Sequence, residues 1–375
     1  MKKAVNILVI LALFGFLLTG CGSKSNEPTA NEPAKSTEET GNKETTGALE
    51  PENELIVAGN GATVEQLMKD EIFKLFNEKY PDVKLTYVSG VSMEIVAKVK
   101  AQKASPQIDV TVVEGGEQEA GRKEGLWETL TVEDIPSISK VSKDLAVKEN
   151  SGVAVNFTPM GISYNAALVS EKGLPVPTSW NDLAKPELKG NISLTEISSN
   201  FGRSTTIMLA YANGGSETNM DPGFEKLKTI ASYMPTFAKT SAQLQQNLQN
   251  KTTAYTAWTM ARSIVQKDAG VELEFVIPDE GANLVSNVAT IVKDAKHPNA
   301  AKLFVEFLLT DEVQKLYGEK LYYNPATDVE LSAEVAELLD FDRSKVVPFD
   351  LEVVGNSTSE WIDRFNREVA PEVGK

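Results

Sequence analysis

The chain has 375 residues, and 53 Asp and Glu against 37 Lys and Arg leave a formal charge of −16. Such an acidic surface argues against nucleic acid, whose phosphates demand a basic stripe. A single cysteine excludes an intramolecular disulfide, and a single histidine leaves little material for a histidine-based catalytic triad or metal centre.

Met1, Lys2 and Lys3 open the chain with positive charge, and Ala4 to Leu18 is an almost unbroken apolar run. At about 15 residues it is short for a membrane span, which needs about 20. It predicts a secretory signal over residues 1–20. The closing Leu18-Thr19-Gly20-Cys21 resembles the lipobox of bacterial lipoproteins, in which the cysteine becomes the first mature residue and carries acyl chains on its sulfur. That resemblance makes Cys21 the lipidation site. It implies a lipid bilayer as one partner, at the extracytoplasmic face of the cell membrane, and two or more acyl chains would hold firmly there. Gly22 to Asn53 has seven Glu, three Lys and no aromatic residue, a composition too poor in apolar surface to order itself. Residues 21–53 therefore read as a disordered tether with a reach of about 30 Å.

From Glu54 onward, strand-like and helical patterns alternate. Leu55 to Ala58 reads as a strand ended by Gly59-Asn60-Gly61, and Thr63 to Tyr80 has helical spacing stopped by Pro81. Val83 to Val88 is a second strand and Met93 to Gln102 a second helix. Ile108 to Val113 is a third strand, apolar enough to be covered on both faces. The order predicts a doubly wound α/β sheet, whose ligands bind beyond the carboxyl ends of its strands. Asn60 and the pair Glu114-Gly115 fall at those ends and are candidate ligand residues.

Pro159 to Asn165, then Leu174 to Leu183 with Ser179-Trp180-Asn181-Asp182, then Lys185 to Gly190 and a strand over Asn191 to Thr195 follow in order. With Ala300 to Leu309 and Thr310 to Gln314, this succession resembles the extracellular solute-binding proteins of ABC importers, over nearly all of residues 54–375. Beside the resemblance, Trp180 reads as a core plug and Thr178 or Ser179 as a helix cap. The resemblance implies an α/β, two-lobed periplasmic-binding-protein (type 2) clamshell with a hinge, a small-molecule solute and a membrane permease as partners, a monomer, and no cofactor. Chain crossings near Val155 to Phe157 and Asn287 to Thr290 put lobe 1 at 54–156 plus 288–325 and lobe 2 at 157–287. Residues 326–375, with Trp361 and Phe365 on a helix, are expected to pack back over the lobes.

By motif order the resemblance is to the polyamine- and ferric-ion-binding branches. Trp258 matches a ligand-stacking tryptophan of the polyamine branch, but Asn283, Ser286 and Asn287 stand where that branch places an acid. After the Ile192 to Thr195 strand, Glu196 is the lone acid. The tyrosine pair of the iron branch is broken at Tyr255 to Thr259, while Tyr322-Tyr323 reads as wall or packing and His297 as a surface residue. Ser199, Asn200 and Arg203 open a helix after a strand, where free amides and a guanidinium would take an anion, or where Ser199 or Asn200 merely caps. The expected solute is polyamine-like, or a zwitterion such as an aminophosphonate, with ferric ion as the alternative. A ligand-loaded partner of a membrane sensor would use the same fold. No nucleophile elbow, histidine metal pair or phosphate loop supports an enzyme.

Overall fold

Residues 49–61 and 63–375 are described by the computed structural model. The expected signal segment, Cys21 and most of the expected tether lie outside them. The last tether residues are docked rather than loose. The Glu52 carboxylate accepts from the amides of Ala300 (2.8 Å) and Asn299 (3.4 Å), and the Glu50 carbonyl accepts from the Asn299 side chain at 3.0 Å. An acid there meets the positive end of the helix that begins at Pro298.

The alternating patterns after Glu54 produce β1 (Glu54–Asn60), α1 (Thr63–Leu67), a π turn (Met68–Ile72), α2 (Phe73–Lys79), β2 (Lys84–Gly90), α3 (Ser92–Ala101), β3 (Val110–Glu114) and α4 (Gly115–Lys123). The helical spacing from Thr63 to Tyr80 predicts one uninterrupted helix. The π turn widens its middle while Met68 and Ile72 both stay fully buried, so the apolar face remains on the core. β1 lies between β2 and β3, parallel to both. This is the reversal point of a doubly wound sheet, with its crevice at the ends of β1 and β3. Gly59 is needed there: a Cβ would stand 2.5 Å from the Tyr87 hydroxyl, which donates to the Asn60 carbonyl at 2.6 Å.

β4 (Val153–Asn165) is the long element. Its first half pairs with β7 (Leu284–Ile291) and with β8 (Asn324–Pro325), and β7 in turn pairs antiparallel with β3. Its second half pairs with β5 (Tyr255–Thr259) and β6 (Leu273–Val276). One strand thus runs from the first sheet into the second. Along the chain between β4 and β7 come α5 (Ala166–Lys172), α6 (Asn200–Tyr211), α7 (Asp221–Ser232), α8 (Ser241–Gln249) and α9 (Met260–Asp268). The strand expected over Asn191 to Thr195 does not form a ladder. It is held by single bridges, Ile192 to Tyr255 on one side and Thr195 to Ala238 on the other, because it changes partner midway.

Two large apolar cores result. Leu55, Val57, Phe76, Val110, Val155 and Phe304 belong to the first, with Phe76 and Phe304 edge to face at 5.2 Å. Met160, Ile162, Trp180, Leu209, Phe224 and Trp258 belong to the second. Trp180 is fully buried and its indole donates to the Gly281 carbonyl at 2.9 Å, as a core plug should. Ser179 and Asp182 form a reciprocal cap around it. α10 (Pro298–Leu308) and α11 (Asp311–Leu321) return to the first core. His297, expected at the surface, is half-buried instead, and its Nδ1 is 2.9 Å from the buried Asp109 carboxylate, which a local reading of His-Pro could not anticipate.

After α12 (Ala333–Leu339), α13 (Leu351–Glu368) sends Val354, Trp361 and Phe365 into the second core. α13 also packs along α4, and its Glu352 pairs with Lys123 at 3.2 Å and with Lys148. This helix therefore clasps both lobes. Among the described residues, no helix is long and apolar enough to cross a membrane.

Candidate interlobe solute site

At the crevice predicted by the topology, the end of β1 faces the start of α9. Gly61, Thr63 and Val64 on one side and Trp258, Ala261 and Arg262 on the other line a cavity of about 290 Å³, to which Tyr323 also contributes. The volume is close to the lower end for small-molecule sites, which begin near ~300 Å³. Trp258 is held from the side: its indole donates to Ser241 Oγ at 3.1 Å, on the first turn of α8. The Arg262 guanidinium lies 6.0 Å from the Trp258 ring centre and 5.7 Å from that of Phe201.

Arg262 was missed by sequence reasoning. A signal existed, since it is a base in the first turn of α9, which carries no acid there. That is the wrong end of a helix dipole for a cation, so some other group must want it there. It is half-buried, and among the described residues no carboxylate pairs with it.

The expected site residues fall into three groups. Trp258 lines the cavity itself. Asn60 and Glu114 stand at the strand ends, linked through Ser92. Its hydroxyl donates to Asn60 Oδ1 at 3.2 Å and accepts from the Glu114 amide at 3.2 Å. Gly115, Asn200, Arg203 and Asn283 gather instead around a void of about 30 Å³ nearer the crossing strands.

The remaining expected residues, Ser199 and Asn287, do not line that void, and the polar atoms of this region are largely engaged with one another. Ser199 caps α6, accepting from the Phe201 amide at 3.3 Å. Asn283 donates to Ser204 Oγ at 3.2 Å. Asn287 donates to Asn156 Oδ1 at 2.7 Å, across paired positions of β7 and β4 where the chain passes between the sheets. Arg203 is no open fork, because its guanidinium pairs with Glu117 of α4 and donates to the Ser198 carbonyl at 2.9 Å. Gly202 lets α6 sit this close, since a Cβ there would stand 2.1 Å from the Glu196 carbonyl.

Glu114, Glu117, Arg203 and Arg262 thus form one charged cluster between the lobes. Burial, followed by the charge of Glu117, pushes the Glu114 carboxyl up to about 7, while Arg203 and Arg262 pull the other way. Glu117 Oε2 and Arg203 Nε are buried and have no hydrogen-bond partner among the described residues.

A larger cavity of about 570 Å³ lies under Val346 to Asp350 and shares Gly115 and Asn283 with the small void. Its charges are already consumed: Arg343 pairs with Asp144 at 3.2 Å, Glu352 with two lysines, and Asp350 caps α13. Arg262 makes the smaller cavity the better solute site.

Residues 71–341 match the family model described as bacterial extracellular solute-binding protein. An uncharacterized protein of Haemophilus influenzae is 27% identical over 288 residues, covering 75% of this chain and 81% of the relative. The spermidine/putrescine-binding periplasmic protein of Escherichia coli is 25% identical over 295 residues, covering 76% and 80%. Among solved structures, the periplasmic binding protein AfuA from Actinobacillus pleuropneumoniae, with exogenous fructose-6-phosphate bound, superposes with a TM-score of 0.72 at 25% identity, covering 84% of this chain and 98% of that one. The Escherichia coli relative and AfuA are both named as periplasmic binding proteins. With two α/β lobes, a sheet reversal at the cleft and a solute-sized cavity between them, the chain belongs to the bacterial extracellular solute-binding proteins and is a type 2, two-lobed receptor of the ABC-importer kind.

Proposed function

We propose that this receptor captures a small polar solute through an anionic group, closes its lobes over it, and hands it to a membrane permease while tethered by a lipidated Cys21. The observation that carries the reading is Arg262, a half-buried guanidinium facing the interlobe cavity with no carboxylate of the described chain to neutralise it. A guanidinium so placed matches a carboxylate, phosphate or phosphonate in fork geometry. AfuA, with its bound sugar phosphate, is a relative whose solute has such a group.

A polyamine is the second reading, favoured by the name of the Escherichia coli relative and by Trp258. Against it stands the guanidinium 6.0 Å from the Trp258 ring, where an ammonium would have to stack. Ferric ion fits less well still. Tyr255 donates its hydroxyl to the Pro175 carbonyl at 2.8 Å, and among the described residues no cluster of three His, Cys, Asp or Glu is placed to hold a metal.

A thermal-shift panel tests the choice with the full chain. Alkylphosphonates, sugar phosphates and amino acids stand against spermidine, putrescine and ferric citrate. Ligand at about 100 times its dissociation constant adds roughly 2.7 kcal/mol of stability. A rise with anionic compounds supports the proposal, and a rise confined to polyamines or iron rejects it.

A further inference from the structure

Arg262 accounts for an anionic group, and the same cavity wall carries a second polar side chain with a group to spare. Gln266 follows Arg262 by one turn of α9 and lines the same cavity. Residues four apart share a helix face, with their Cβ atoms about 5–6 Å apart. Gln266 is 5% exposed. Its Oε1 accepts from Gln249 Nε2 at 2.7 Å, while its own amide nitrogen has no partner among the described residues. That nitrogen carries two donors, and a buried donor left unmatched is costly.

The neighbouring helix explains why this amide is held as it is. Ser241, Gln245 and Gln249 recur every four residues along α8, while Leu244 and Leu248 turn into the second core. The polar stripe backs the cavity: Ser241 holds the Trp258 indole, Gln249 holds the Gln266 amide, and Gln245 between them lines the cavity itself. With the Gln266 oxygen committed to Gln249, the nitrogen is the end left to meet a solute. An ammonium would bring donors to a donor, and no Asp or Glu stands among the described residues lining this cavity. An alkyl chain would leave the amide unmatched. A carbonyl, ether or hydroxyl oxygen satisfies it.

Resting on the reading of this cavity as the solute site, we propose that Gln266 is a specificity-determining residue that donates to an uncharged oxygen of the solute, about one helical turn from the anionic group on Arg262. The solute class narrows to oxygenated anions, in which a carbonyl, ether or hydroxyl lies a few bonds from the charge. Gln249 acts through Gln266 as a positioning residue, because it fixes which end of the amide faces the cavity.

The test is isothermal titration of the full chain at pH 8 with phosphonates matched in shape: 3-oxobutylphosphonate against 3-methylbutylphosphonate, and 3-hydroxypropylphosphonate against butylphosphonate. The wild type should prefer the oxygen-bearing member of each pair by about 3- to 10-fold, the worth of one neutral hydrogen bond. It should show no such preference for 3-aminopropylphosphonate over butylphosphonate. Gln266→Met keeps an unbranched side chain without the amide. It should bring the members of each pair to equal affinity while still binding both, and that binding reports an intact cavity. Gln249→Ala should narrow the preference by releasing the amide, and it decides the matter should Gln266→Met fail to fold. Equal affinities within each pair in the wild type, or a preference undiminished in these variants, overturns the assignment. So does a preference for the amino compound that Gln266→Met abolishes. If no phosphonate binds, or if Arg262→Gln leaves their binding unchanged, the anion reading of the cavity has failed instead.

Discussion

The ion pair of Arg203 with Glu117 joins α6 to α4, so it joins the two lobes, and Arg203→Met removes it at nearly constant side-chain volume. The two side chains are 2% and 10% exposed, and the orphaned Glu117 would be a buried charge without a partner. Breaking such a pair inside a rigid core costs about 3–5 kcal/mol, which would lower the melting temperature by on the order of 10 °C. Here the protein has an escape. Parting the lobes returns Glu117 to water, so the cost is limited to the free energy of opening and is felt as lost closure. Small-angle X-ray scattering on the unliganded variant should show a larger radius of gyration than the wild type, with a melting temperature within about 3 °C of it. The double variant Arg203→Met with Glu117→Gln, which leaves no orphaned charge, should return toward the wild-type radius. A drop of about 10 °C with an unchanged scattering profile would show that the pair is a core element and not a closure contact.

Glu114 predicts a pH dependence of stability. Its carboxyl is raised from 4.5 to about 7 in the folded protein, so the folded state holds the proton more tightly than the unfolded chain. Stability should then fall as pH rises from about 5 to 8, by up to roughly 3 kcal/mol, and Glu114→Gln should flatten that slope in urea titrations at the two ends. A wild-type slope of opposite sign across this window would contradict the burial argument. Gly59→Ala should cost about 1–3 kcal/mol by chemical denaturation because of the 2.5 Å approach to the Tyr87 hydroxyl, and Tyr87→Phe in the same chain should recover part of it. Equal losses in the single and double variants would place the strain elsewhere. Cys21→Ser should move the receptor from the membrane fraction to the soluble fraction of cells expressing it, and an unchanged distribution would dismiss the lipid anchor.

Local chemistry made the frame readable. Apolar runs made Leu55 to Ala58 and Ile108 to Val113 legible as strands, and Trp180, following the capping candidates Thr178 and Ser179, as a core plug. The glycines at the strand exits pointed to the crevice, although Gly59 proves to be required by the Tyr87 approach. What stayed hidden depends on partners far apart in the chain. Arg203 looked like an anion fork because Glu117, 86 positions away, was not visible as its counter-ion. Asn287 looked like a ligand residue because its amide bond to Asn156 spans 131 positions. Glu52 looked like tether until its carboxylate met the start of α10. Arg262 was overlooked for the opposite reason: its importance lies in having no such partner, and a charge without a neighbour leaves no pairwise pattern in sequence.

The central claim is that the interlobe cavity takes an anionic group on Arg262. Isothermal titration of wild type and Arg262→Gln with the phosphonate probes and with spermidine tests it most directly. The account predicts that the wild type binds the phosphonates, that Arg262→Gln weakens them by about 10-fold or more, and that spermidine gives no heat with the wild type. Tight spermidine binding that Arg262→Gln leaves intact or strengthens, with no phosphonate response in either protein, would contradict it.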